Sequence, residues 1–450
     1  MKTLHKFLIL ILSLFLSVFF SIAVFAWSEH PMLAHPALKG LPLWNRLDAV
    51  AAKNLKTFLV EAEPQLEQFL AQQEAWSRAN LPNYAPRPDE LAFKATGNPD
   101  DILYRFYTAI RVNPHIKVPL YLHLLPNDDT KGRTVADPRH ITTLKDISSM
   151  LNTTYVWISE GELLLPLDVL SAGNDEPDYG FDLGLFADNN TDYGTVYGFG
   201  SQAFGNPNLE YSSQAPFHMG FYHEAKILYK FGPFLKRTYL DYRIQLYRAM
   251  SEFAFTNNQP YWGWRFMGWG MHYMGDISMP YHVKPLPGVS TLKMIWINLK
   301  AMLGLPAAKD NAVQLVSNRH TVLEEFQVQA LRIAHQESNW DHPFLQALTN
   351  PIDHVTFSEN FIVDVAAKES AQSSKNMDKY IEKYMPATMV SDPAIEVDDL
   401  PELDYIVQVV KEEKGQQAVD KITVAIAERL RFYSMHIRSY MTSILDAAGV

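Results

Sequence analysis

The segment GWGMHYMGDISMPYHV, residues 268–283, constrains this chain more than any other stretch. His272 and Asp276 stand four apart, so a helix projects both from one face. Gly275 leaves room for a neighbour to approach the backbone, and Pro280 predicts that the helix ends there. The chain then turns and presents His282. Two imidazoles and a carboxylate from His272 to His282 make a borderline-hard ligand set suited to zinc. A second pair, His320 and Glu324 in SNRHTVLEEFQ, again falls on one helical face. A fold that gathers these side chains has to be helical at both places.

The rest of the pattern agrees with an all-α class. Residues 41–75 read as helix, with Leu55, Phe58, Leu59 and Leu66 at helical spacing. From about 80 to 215 the chain is rich in turn signals such as NLPNYAPRPDE and GNDEPDYG, which predicts long irregular loops between short helices. ADNNTDYGTVYGFGSQAFGNPN, residues 187–208, has no period, and loops of that length usually build or cover a site. Helical character returns near Tyr222 and dominates to the end. No heptad array or nucleotide-binding glycine motif interrupts it.

The start of the chain reads as an export signal. Lys2 and Lys6 precede an apolar run from Phe7 to Ala26, and the small Ala26 is a plausible cleavage point. A run of about 20 apolar residues is also long enough to anchor in a bilayer. Cleavage predicts residues 1–26 as signal peptide and 27–450 as one secreted or periplasmic domain, beginning at Trp27. The sequence has no cysteine, which excludes disulfides and cysteine lipidation and leaves core packing, with bound metal, to hold an exported fold. The net charge of −11 becomes −13 once Lys2 and Lys6 leave. That balance argues against gripping nucleic acid through basic side chains, though not against doing so through bound cations.

Taken together, His-x3-Asp-x5-His with an inner Gly-Asp, the later His-x3-Glu and an N-terminal Trp after cleavage resemble one family. It is the zinc-dependent phospholipase C and single-strand-specific nuclease superfamily, an all-α fold with long loop insertions. The resemblance runs from Trp27 to Glu324; the residues beyond match only in helical character. It implies three zinc ions. Trp27, through its free amine and carbonyl, would hold one together with a nearby histidine. His30 fits the family's pattern there, and His35 is the alternative. Asp276 would bridge this ion to a second, held also by His272, an upstream histidine and an upstream aspartate. For the histidine, QAPFHMGFYHEAK offers His218, favoured by the aromatic residues that follow, and His223. For the aspartate, AGNDEPDYGFD offers Asp175, ranked first, then Asp178, with Asp182 also in range. His282, His320 and Glu324 would hold the third ion. The resemblance further implies hydrolysis of a phosphodiester by metal-activated water, with Asp175 or Asp178 as general base.

The substrate divides the family. Glu324 as last ligand resembles the phospholipase branch, so the expected reaction is phospholipase C cleavage of phosphatidylcholine-like lipids at a membrane surface. The alternative is a single-strand nuclease with nucleotidase activity, whose partner is nucleic acid. Between His282 and His320 lies STLKMIWINLKAMLGLPAAK, in which Leu292, Ile295, Trp296, Leu299, Met302 and Leu303 form an apolar stripe. A stripe of this kind is expected first of all to pack on a core. The second reading is an interfacial helix resting on lipid.

Overall fold

The computed structural model describes residues 27, 29–205 and 210–450, so the expected signal peptide lies outside the described residues. The protein is all-α. In chain order the helices that build it are α1 (His30–Lys39), α2 (Leu55–Asn80), α3 (Ile102–Ile110), α4 (Pro166–Gly173), α5 (Glu210–His218), α6 (Lys226–Phe231) and α7 (Leu240–Thr256). They are followed by α8 (Pro260–Asp276), α9 (Thr291–Met302), α10 (Ala307–Gln336), α11 (Pro343–Thr349), α12 (Lys368–Tyr384), α13 (Ile406–Lys414) and α14 (Gln416–Ala448).

The centre of the fold is α8. Its sequence, PYWGWRFMGWGMHYMGD, is apolar nearly all round, and every residue from Tyr261 to Asp276 is buried. It packs against α7, α4 and α14. Two glycines permit this. A Cβ on Gly268 would lie 2.4 Å from the Leu170 carbonyl oxygen, so α4 can cross α8 only because no side chain stands there. A Cβ on Gly275 would lie 2.8 Å from His30 Cε1. The close neighbour for which Gly275 leaves room is the His30 ring.

Two expectations shift. The first long helix starts at Leu55, not near residue 41. Residues 42–45 form a single 3-10 turn, and Val50–Ala51 (β1) pairs antiparallel with Leu163–Leu164 (β5). The loop region also holds a small antiparallel sheet, Tyr121–Leu124 (β2) and Val135–Ala136 (β3) on either side of Thr154–Trp157 (β4). These strands are too short to show a period in sequence. The central helix ends at Asp276 rather than at Pro280: the amides of Ser278 and Met279 already close turns to Gly275 and Asp276.

Apart from Ile295, which packs against a small apolar cluster, the stripe of α9 does not pack on the core. Leu292 is 80% exposed, Trp296 57%, Leu299 38% and Leu303 75%. Instead Met294 and Ile297, which lie off that stripe, face inward. Among the described residues no helix is long and apolar enough to cross a membrane.

Candidate metal centre

Several elements bring the titratable groups together. The last turn of α8 supplies His272 and Asp276, and the turn after it supplies His282. The middle of α10 supplies His320 and Glu324, and the first residue of α1 is His30. His218 ends α5, and Asp178 sits in a 3-10 turn, Glu176–Tyr179. Among the described residues the result is three clusters that could each hold a metal ion: His30, His272 and Asp276; Asp178, His218 and His272; His282, His320 and Glu324. All these residues are buried except Asp178, which is half-buried and so faces the open side.

The first two clusters interlock. Asp276 Oδ1 faces His30 Nε2 at 3.8 Å, while its Oδ2 lies 2.9 Å from His218 Nδ1 and 3.6 Å from His272 Nε2. One carboxylate thus presents an oxygen to each side. His272 Nε2 also approaches Asp178 Oδ1 at 3.4 Å. In the third cluster His320 Nε2 lies 2.7 Å and His282 Nε2 3.8 Å from Glu324 Oε1.

The imidazoles are oriented from behind, which is how a metal-binding histidine is held to one tautomer. His272 Nδ1 donates to the Asn174 carbonyl at 2.9 Å, and His282 Nδ1 donates to the His218 carbonyl at 2.6 Å. Both Nε2 lone pairs are therefore left for the cluster. His218 is turned the other way round. Its Nε2 faces Asp182 Oδ2 at 3.5 Å, and Asp182 is itself fixed by Arg243 and by the Tyr273 hydroxyl at 2.6 Å.

The donors are left over in a way that fits dications. Among the described residues, neither His30 ring nitrogen, Glu324 Oε2 nor Asp276 Oδ1 has a hydrogen-bond partner. Buried polar atoms are rarely left so, because the desolvation cost of each is roughly 1–3 kcal/mol. Burial, and after it the neighbouring His272, push His30 down to about 3, so its ring is neutral and can donate a lone pair. Burial opposes charge on His218, but Asp276 and Asp182 outweigh it and hold this imidazole up to about 10. A proton wedged between carboxylates in this way is one that a dication would displace. Burial, then the charges of Asp178 and Glu325, push Glu324 well above the usual carboxylate range. A positive ion is what would reverse that.

No family model, curated protein or solved structure matches the chain. The centre therefore has to be read from its own geometry.

That geometry separates the alternatives left open by the sequence. His30, not His35, joins a cluster; His35 is half-buried further along α1. His218 joins one, whereas His223 Nε2 donates to the Val363 carbonyl at 2.7 Å. Asp178, not the first-ranked Asp175, stands with His218 and His272. Asp175 is already occupied: Oδ1 accepts from the His30 amide at 3.2 Å and Oδ2 from the Tyr179 hydroxyl at 2.8 Å. It holds the start of α1 in place. Asp182 supports His218 from behind. Trp27 is buried in the main core, three residues before His30.

Sequence reasoning missed the clamp beside these groups. Glu29 takes up a left-handed backbone conformation, φ 58°, just before α1. Its carboxylate accepts from Arg332 of α10 at 2.8 Å and from the Thr153 hydroxyl, and lies 3.2 Å from His123 Nε2. His123 in turn approaches Asp175 at 3.9 Å. Arg332 falls eight residues beyond Glu324 on α10, but nothing in its spacing marks a partner three hundred positions away. Only the folded chain reveals it.

Proposed function

We propose that this protein is a secreted or periplasmic zinc phosphodiesterase, a phospholipase C that cleaves phosphatidylcholine-like lipids to diacylglycerol and a phosphorylated head group. The observation that carries the reading is the interlocking of the clusters through His272 and Asp276. Two adjoining cation sites that share a carboxylate suit in-line displacement at phosphorus. His, Asp and Glu donors in this mixture favour zinc over magnesium or calcium, which prefer all-oxygen sites.

In this reading Trp27 and His30 would hold one zinc together with Asp276. Asp178, His218, His272 and Asp276 would hold the second, and His282, His320 and Glu324 the third. Zinc held by these residues would lower the pKa of a water and offset charge on the phosphoryl oxygens. The chain's own residues do the rest. Asp178 is the one carboxylate of the three clusters with appreciable exposure, 20% of its side chain, so it can meet a substrate-side water. Burial alone would raise its pKa, but His272 and His218 hold it below the usual carboxylate range. It is therefore ionised and able to accept a hydrogen bond from that water and orient it. Asp182, locked by Arg243, keeps His218 from turning.

The exposed apolar stripe of α9 supports a lipid rather than a nucleic-acid substrate. The deciding experiment offers phosphatidylcholine vesicles and single-stranded DNA side by side to the purified mature chain with zinc. Release of phosphocholine with little DNA cleavage supports the proposal. The reverse preference would replace it with the nuclease reading.

A further inference from the structure

A second, smaller apolar cluster stands apart from the main core. Phe204, Met219, Phe221, Leu228, Leu235 and Met294 form it, between α6, α9 and the loop after α5. These side chains do not close on one another. They line a narrow cavity of about 100 Å³ that opens to the surface. Tyr281 and His320 also belong to the lining. The Tyr281 ring stacks on His320 at 5.5 Å, and His320 Nε2 is the atom that meets Glu324. One end of the cavity therefore reaches a residue of the third cluster.

The other end reaches the surface. Phe231 of α6 lines the cavity and is 42% exposed, so it stands at the mouth. Ile227 of α6 is exposed, as are Leu292, Trp296, Leu299, Met302 and Leu303 of and just beyond α9. The same two helices carry Lys226, Lys230, Lys293 and Lys300 and no acid, in a chain of net charge −11. An apolar face with basic residues is complementary to a bilayer containing anionic lipid. The slot is lined mainly by Phe, Leu, Met, Ile and Val side chains, with Lys284, Asn298, Lys309 and Ser317 among them, and such a mostly apolar lining is complementary to an aliphatic chain.

We propose that the cavity between α6, α9 and α10 binds one acyl chain of the substrate lipid, drawn in from the membrane at the Phe231 mouth, with the phosphodiester lying at the metal clusters. This rests on the phospholipase reading, yet it makes claims that the reading does not. The affinity for soluble lipids should depend on chain length. Each methylene buried is expected to lower KM by about fourfold until the slot is full. A head-group-only enzyme would show no such trend.

The test has two arms. Metal-free protein is titrated with a fluorescent eleven-carbon fatty acid, and zinc-loaded protein is assayed on monomeric short-chain phosphatidylcholines of increasing length. Wild type should bind the fatty acid, with Met294→Trp, which fills the slot, at least tenfold weaker. The exposed Phe231→Ser should also weaken it, and thermal melts and zinc content verify that both variants are folded. In the second arm the KM trend should flatten in Met294→Trp. Fatty-acid binding absent in wild type, or equal in all three proteins, would overturn the acyl site. Binding with a flat KM series in wild type would overturn the assignment to the substrate's own chain. Hydrolysis of no lipid at all would remove the phospholipase reading, and the first arm would still decide whether the slot takes an aliphatic chain.

Discussion

Replacing both Trp296 and Leu299 by serine separates the two roles that an apolar stripe can have. Full burial of such a side chain is worth roughly 1.5–3 kcal/mol. In the folded protein Trp296 is 57% and Leu299 38% exposed, so only those fractions remain to be gained on lipid. The two together should contribute about 2 kcal/mol to membrane binding, or roughly thirtyfold in vesicle partition. Because the exposed portions contribute little to the fold, the melting temperature should move by only about a few degrees. The contrast is Ile297→Ala on the inward face of the same helix. Ile297 is 5% exposed, and its truncation should cost about 2–5 kcal/mol of stability. Sedimentation with sucrose-loaded vesicles, beside thermal melts of each variant, reads both quantities. Unchanged vesicle binding in the double variant, or a loss of stability equal to that of Ile297→Ala, would refute the outward role of the stripe.

Three other outcomes are expected. Asp276→Asn should lose activity and zinc together, because an amide cannot supply the negative charge shared between two dications; metal analysis of the purified variant checks this. Gly275→Ala should displace His30, whose ring lies 2.8 Å from where the new Cβ would stand, and so lower zinc occupancy while the overall helicity by circular dichroism holds. His436 is buried against the Ser278 hydroxyl at 2.8 Å, and burial, then Arg429, push it down to about 3. Above the unfolded value of about 6.5 both states are neutral and stability is at its fullest. As the pH falls below that, the unfolded chain takes a proton that the folded chain refuses, and stability drains away until about pH 3. At pH 5 the loss is about 2 kcal/mol, and denaturant unfolding of His436→Gln should lack that part of the acid sensitivity.

The residues that could be found in the sequence are those whose spacing is local. His272 and Asp276 share one helical face, as do His320 and Glu324, so period alone pairs them, and His282 follows in the turn just beyond the first pair. The choice between Asp175 and Asp178 was beyond reach. It depends on how a 3-10 turn rolls, and on Tyr179 and the His30 amide claiming Asp175 from two directions. The α9 stripe shows a different limit. Periodicity finds an apolar face but does not say which way it points, and here the smaller pair, Met294 and Ile297, faces inward. Glu29, His123 and Arg332 come from three distant elements with no shared motif, so their clamp exists only in the folded chain.

The metal content of the mature chain tests the central claim most directly. Protein beginning at Trp27, purified without chelators and dialysed against metal-free buffer, should hold three zinc ions per chain by mass spectrometry of the ions. One residue added before Trp27 should lower that number, since an amide nitrogen is a poor ligand. A mature chain that is active on phosphodiesters but carries no zinc, or whose zinc is indifferent to the added residue, would contradict the account.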